Sequence, residues 1–289
     1  MPKETHSFKR LVLGLQPSEP GRTVRFGVEL ANLLHVELLG LFLEDAGLRQ
    51  LASIPVAREL RPLGGGWQPI ELDRLSRELE LVARRTERLF VDAAKLLTAR
   101  SQFEVVRGPA AETIASISRA DDIFMISEPS STADRVTYQF SSLVQAAVQS
   151  IASVVFVPPH PVRSAGAVLA IAVTPDDPSI NTAAAIAAAA KEELIIVEVG
   201  KHVTLEQDIR KLAADEGLRI NRTIVDARAL ADPVALTHAL HNMRERLTVV
   251  TRGVLTDDVA RSIASSRRLP VLMVEPAKVP RAAPVPEAQ

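Results

Sequence analysis

A loop rich in hydroxyl groups follows the apolar run 122–127 and leads into a predicted helix that begins near Ser142. Four of its residues stand at the spacing of a loop that cradles phosphate groups: Glu128, Ser131, Ser141 and Ser142. Hydroxyl groups and the backbone amides of a helix start can donate hydrogen bonds to phosphate oxygens, whereas the carboxylate of Glu128 repels them. The loop therefore indicates either a modified anion site or a solvated loop whose serines cap the helix.

The spacing of this loop resembles that of the universal stress protein family, whose ATP-binding members carry G-x2-G-x9-G-[ST] at this point. In this chain one glutamate and two serines replace the three glycines. A glycine lets the backbone approach the phosphates and adopt a positive φ, so its replacement removes both properties. The ATP-binding members also carry an Asp after the first strand, where this chain has Gln16.

The resemblance implies a degenerate cofactor site with five members: Gln16, Glu128, Ser131, Ser141 and Ser142. We therefore predict no bound cofactor, with ATP or another adenine nucleotide as the alternative. In the second half of the chain the phosphate loop is absent, because the short segment 253–256 connects a strand directly to a helix. We expect Asp257 or Asp258 to cap that helix and to occupy the place that an anion would need.

Short apolar runs alternate with helical patterns in both halves of the chain, which is typical of βα units on a parallel sheet. The predicted strands of the first half are 10–15, 36–43, 103–107, 123–127 and 154–157. Those of the second half are 168–173, 194–199, 219–225, 247–251 and 271–274. This internal repeat predicts two tandem α/β modules. The resemblance implies that each module is a doubly wound parallel sheet in the order 3-2-1-4-5, as in the adenine nucleotide alpha hydrolase-like folds, and that the modules pair through their last strands.

The predicted domain boundaries follow from the repeat and from a proline-rich stretch between the halves. Module 1 covers 7–159 and carries an insertion at 44–70, and module 2 covers the shorter segment 167–276. The stretch 160–166 is rich in turn-forming residues, which indicates a stiff linker. The last residues, 277–289, contain too few apolar side chains to order themselves, so we predict a disordered tail.

The insertion has no counterpart in the second half and contains the single Trp of the chain, Trp67, together with Arg58 and Arg61. A long loop in a compact domain is more often functional than accidental. We therefore predict that these three residues contact a partner. The alternative is that Trp67 only anchors the insertion to its own domain, since Trp serves both as a core anchor and as an interface residue.

Composition argues against several classes of function. The chain has no cysteine, which excludes disulfides, thiolate catalysis and cysteine-ligated metals. With 34 Lys+Arg against 35 Asp+Glu, the net charge of -1 gives no indication of nucleic-acid binding. The uncharged stretches are shorter than the roughly 20 residues of a membrane-spanning helix, so no membrane association is predicted. No secretion signal is visible, and we expect a cytoplasmic protein.

No catalytic motif and no set of metal ligands with sensible spacing is apparent in the sequence. We therefore predict a universal-stress-like binding or regulatory protein that acts in the stress response and lacks family-type ATP binding. The absence of a catalytic motif favours a non-enzymatic protein over an enzyme. Its partner would be another protein or a second copy of the chain. One alternative is an adenine-nucleotide-binding stress protein with a divergent site in module 1. Another is a hydrolase of the wider nucleotide-binding superfamily.

Overall fold

A computed structural model of the protein describes residues 8–15, 20–44, 50–61, 66–135, 137–200, 207–215 and 217–276. In the first half the elements are β1 (Arg10–Leu15), α1 (Pro20–Leu34), β2 (Glu37–Glu44), β3 (Arg58–Arg61), β4 (Gly66–Pro69), α2 (Leu72–Ala94), β5 (Ser101–Arg107), α3 (Ala110–Ile117), β6 (Asp122–Ser127), α4 (Thr132–Arg135), α5 (Tyr138–Gln149) and β7 (Ser153–Val157). In the second half they are β8 (Ala167–Ala172), α6 (Pro178–Ala190), β9 (Leu194–Val199), α7 (Gln207–Asp215), β10 (Ile220–Val225), a 3-10 helix (Ala227–Ala231), α8 (Pro233–Ala239), β11 (Glu245–Thr251), α9 (Asp257–Arg267) and β12 (Val271–Val274). The predicted tail lies outside the described residues.

Ten of these strands form one sheet in the order β10-β9-β8-β11-β12-β7-β6-β1-β2-β5. Each half contributes five strands in the order 3-2-1-4-5, so the predicted fold class and strand order are confirmed. Pairs within each half are parallel, whereas β7 and β12 pair antiparallel, with Val155 opposite Leu272. The last strands of the two halves therefore lie side by side at the centre of a continuous sheet.

The central strands are mostly apolar and buried on both faces, because helices cover both faces of the sheet. Along β1, Leu11 and Leu13 point into a core shared with α1, α2 and α6. Val12 points the other way, into a core shared with α3, α5, α8 and α9. This alternation follows from the two-residue period of a strand. Because α5 and α9 both contribute to the second core, they lie on the same face of the sheet.

The segment between the halves is hydrogen-bonded to the second half. Val162 N donates to Arg268 O at 2.9 Å. Gly166 has φ of +130° and approaches the backbone so closely that a Cβ atom there would lie 2.5 Å from Arg244 O. Such a φ favours glycine, and the close approach leaves no room for a side chain.

The insertion begins after Glu44, because Glu44 is the last residue of β2. Its side chain is buried and accepts a hydrogen bond from Arg107 Nε at 2.8 Å. Arg107 is the direct register partner of Glu44 on β5. The carboxylate therefore belongs to the sheet rather than to the inserted segment.

Candidate functional site

The helix after the fourth strand of the first half begins four residues earlier than the sequence predicts. Helix α5 starts at Tyr138, with Thr137 as its N-cap residue, and Thr137 Oγ1 accepts a hydrogen bond from Phe140 N at 3.3 Å. Ser141 N already donates to Thr137 O at 3.1 Å. Ser141 and Ser142 therefore lie inside the helix, and the amide of Ser141 is committed to the helical ladder rather than open to an anion.

Glu128 follows β6 directly, at the end of the strand where the family pattern has its first glycine. Its amide donates to Val157 O at 2.8 Å, and its side chain is only 5% exposed. The carboxylate accepts from Arg261 Nε, which belongs to α9 in the other half, at 3.3 Å. The guanidinium of Arg261 also lies 5.5 Å from the ring centroid of Phe140. A partly buried ion pair across the junction thus stands where the family pattern has its first glycine.

Arg252 holds the equivalent position in the second half. It follows β11, and its amide donates to Val274 O at 2.8 Å, as that of Glu128 donates to Val157 O. The Arg252 guanidinium pairs with Glu275 at 2.5 Å. It also donates to three carbonyls at and just after the end of α5, those of Val148, Ser150 and Ala152, at 2.9, 2.9 and 2.7 Å. A cation at a helix C-terminus satisfies orphan carbonyls and complements the helix dipole.

The crevice between β8 and β11 is the point where the strand order of the second half reverses, the place where doubly wound sheets bind ligands. Asp177 fills it: the residue is 2% exposed, and its carboxylate accepts hydrogen bonds from Val173 N at 3.1 Å and Ser179 N at 3.0 Å. Thr251 Oγ1, at the end of β11, donates to the same carboxylate. Asp177 is not among the predicted site residues, although an Asp followed by Pro178 is a typical N-cap signal.

The corresponding crevice of the first half is described in part. Gln16 lies outside the described residues, so its place relative to Glu128 stays a prediction. Ser131 is exposed in the loop before α4. Arg135, at the end of α4, donates from Nε to Pro129 O at 2.8 Å. Among the predicted members of the site, Glu128 is therefore buried at the junction, Ser131 lies in the loop, and the two later serines belong to a helix.

Strands β3 and β4 of the insertion form an antiparallel hairpin that exposes an apolar face. Leu60 lies opposite Trp67, and the two residues are 59% and 64% exposed. Arg58 and Pro69, the next pair on that face, are also exposed. Arg61 ends β3, and its side chain lies outside the described part. We call the surface formed by Arg58, Leu60, Trp67 and Pro69 the hairpin face.

The other face of the hairpin points toward α2. Glu59 forms an ion pair with Arg74 of that helix. Because Glu59 is paired in this way, its charge is balanced within the protein. The hairpin is thus attached through its polar side and leaves its apolar side in solvent.

Metal and membrane sites are not apparent in the described part of the chain. Among the described residues, no group of three or more His, Cys, Asp or Glu side chains is arranged so that it could hold a metal ion. The exposed rings of His238 and His241 stack with centroids 5.1 Å apart. No helix within these residues is long and apolar enough to cross a membrane.

Comparison with known proteins identifies the fold. A universal stress protein from Archaeoglobus fulgidus DSM 4304 superimposes with a TM-score of 0.61 at 15% identity, over 92% of this chain and 96% of that one. The fold is that of universal stress proteins. A Pseudomonas aeruginosa UCBPP-PA14 structure, described as a candidate universal stress protein, gives 0.51 at 13% identity over 95% of each chain.

A functionally unknown protein from Pseudomonas aeruginosa PAO1 also gives a TM-score of 0.51, at 14% identity over 94% of each chain. No protein-family model matches this sequence. Neither does the sequence of any curated protein. The likeness to universal stress proteins is therefore one of fold.

Proposed function

We propose that this protein is a universal-stress-like, non-enzymatic binding or regulatory protein that recognises a protein partner through its hairpin face. The observation that carries the proposal is the exposure of Leu60 and Trp67 side by side on one face of β3 and β4. Adjacent large apolar side chains in solvent are typical of interaction sites, and Trp is enriched among the residues that dominate binding energy. The setting we propose is the cytoplasm, in a response to stress.

The partner we propose is a protein segment that carries apolar and acidic side chains. Apolar side chains would cover Leu60 and Trp67. Arg58 stands on the same face and is exposed, and the nearest acidic residue of the hairpin, Glu59, is already neutralised by Arg74. The face is therefore apolar with a positive edge, which favours a partner of negative charge.

The proposal includes the absence of family-type ATP binding. Two features support it: the pairing of buried Glu128 with Arg261 at the end of β6, and the filling of the second crevice by Asp177. The alternative is a divergent adenine-nucleotide site in the first half. It is favoured by Arg135, whose position at the end of α4 would allow it to meet a phosphate.

The hairpin face can be tested by placing a photo-reactive benzoylphenylalanine at position 67 and irradiating the full chain in its native cells. We expect a discrete cross-linked protein that is absent when the same residue replaces Arg84, which is exposed on α2. Adding Leu60→Asp to the position-67 variant should abolish the product, because it puts a charge in the apolar contact. Equal yields from positions 67 and 84, or a product unaffected by Leu60→Asp, would exclude the hairpin face as the binding surface.

A further inference from the structure

A cleft lies between α5 and α9, at the junction of the two halves. Its volume is about 470 Å³, within the range of roughly 300–1,000 Å³ of small-molecule sites. Phe140, Val144 and Val148 supply its apolar lining from α5, and Ser141, Gln145 and Gln149 supply polar groups from the same helix. The charged lining residues are Arg135, Asp257, Asp258 and Arg261.

The two arginines are each held through Nε. Arg135 Nε donates to Pro129 O, and Arg261 Nε donates to Glu128. Among the described residues, no hydrogen bond engages the terminal nitrogens of either guanidinium. Those nitrogens form the fork that binds carboxylates and phosphates. The cleft thus holds positioned donors for an anionic group.

Asp257 is placed to accept a cation. It stands four residues before Arg261 on α9, the spacing at which ion pairs normally form along a helix. Within the described residues, Asp257 has no ion-pair partner, because Arg261 reaches across the junction to Glu128. Burial raises the pKa of Asp257 above its usual value, with a further contribution from Asp258 that Arg252 and Arg261 oppose. A partly desolvated carboxylate and a guanidinium therefore line one cleft without contacting each other.

We infer that this cleft binds a small zwitterion, with its acid group on Arg135 and Arg261 and its ammonium group on Asp257 and Asp258. A purely anionic ligand would meet the two aspartates, and a purely cationic one would meet the two arginines. A ligand with both charges, separated by a short apolar chain over Val144 and Val148, complements the whole lining. The cleft shares Arg135 and Ser141 with the loop and helix that follow β6, but none of its lining residues belongs to the hairpin face. Zwitterion binding therefore does not depend on the proposed partner binding.

Three compounds with the same carbon chain test the site: ε-aminocaproate, caproate and hexylamine. Binding to the full chain is measured by saturation-transfer NMR and calorimetry, with γ-aminobutyrate and δ-aminovalerate to scan the length. At least one zwitterion should bind about tenfold more tightly than its single-charge analogues, the factor expected from one charge-assisted hydrogen bond. The proposal is wrong if no zwitterion of the series is preferred.

Two substitutions locate the binding. Asp257→Asn should reduce the affinity for the zwitterion to that for caproate, and Arg135→Gln should reduce it to that for hexylamine. Asp92→Asn and Arg84→Gln, at exposed positions of α2, are the matched controls and should leave the affinity unchanged. A preference for the zwitterion that survives Asp257→Asn would place the binding elsewhere and overturn the assignment.

Discussion

Glu128 directly follows β6, and Arg252 directly follows β11, the fourth strand of each half. The two residues have opposite charges, but both connect the halves. Each reaches into the other half: Glu128 pairs with Arg261, and Arg252 binds the end of α5. A glycine in either place would free the backbone for a ligand but would leave Arg261 or the α5 carbonyls without a partner. At this scale both positions contribute a contact between the two halves of the chain.

We predict that Glu128→Gly raises the affinity for ATP by about tenfold, because it removes a repelling carboxylate and releases Arg261 to a phosphate. The same change should destabilise the protein by about 1–3 kcal/mol, the cost of leaving a hydrogen-bonding group unsatisfied. Calorimetry measures the ATP affinity, and urea unfolding measures the stability.

Two further variants control for this prediction. In the Glu128→Gly background, Arg261→Gln should abolish the gain in ATP affinity. Glu87→Gly, on the exposed surface of α2, should not raise the ATP affinity. Micromolar ATP binding by the unchanged protein would promote the nucleotide-binding alternative.

The raised pKa of Asp257 gives a second prediction at the residue scale. Since burial raises this pKa, folding favours the neutral carboxyl group. The contribution of Asp257 to stability is therefore fully present below the pKa that its carboxyl group has in the unfolded chain. It is lost as the pH rises through the pKa of the same group in the folded protein. Compared with Asp257→Asn, the wild-type protein should lose stability from acid toward neutral pH in urea unfolding. A relative gain over that range would contradict the prediction; Asp92→Asn controls for the loss of one carboxylate.

At the scale of elements, the strands could be predicted from the sequence because their apolar runs are local signals. β6 starts at Asp122 rather than 123, and β2 spans 37–44 rather than 36–43. The start of α5 could not be predicted in this way, since Thr137, Ser141 and Ser142 all suit a helix cap and only the hydrogen bond to Phe140 N distinguishes them. The pair Glu128–Arg261 joins residues 133 positions apart, so no local pattern contains it.

The insertion should be separable from the fold. The hairpin face is exposed, and the second half keeps its five strands without such a segment. Replacing residues 45–69 by a short Gly/Ser loop should therefore leave a single cooperative unfolding transition, because lengthening or shortening a surface loop changes the closure entropy only slowly. A matched variant that also replaces Glu44 should be less stable, since it removes a buried carboxylate from β2. Aggregation of the 45–69 variant would show that the insertion belongs to the core.

At the scale of the whole molecule, the junction is both a structural interface and the wall of a cleft. β7 and β12 pair antiparallel at the centre of the sheet, α1 packs on α6 on one face, and α5 faces α9 on the other. Pairing covers two strand edges that would otherwise be open to other chains. The junction therefore brings Arg135 of the first half and Asp257 of the second half into the same cleft, so a bound ligand would contact both halves.

Cutting the chain between its halves should not separate them. A protease site inserted after the exposed His160 would allow cleavage in the folded state. We expect the two fragments to coelute at the size of the intact protein, because the strand pair, the Glu128–Arg261 pair and the three carbonyl bonds of Arg252 do not involve the cut segment. In the cleaved protein, Arg252→Ala should weaken the association, since it leaves the end of α5 uncapped. Arg84→Ala, away from the junction on α2, is the control. Fragments that elute separately without any substitution would show that the linker, rather than the sheet, holds the halves together.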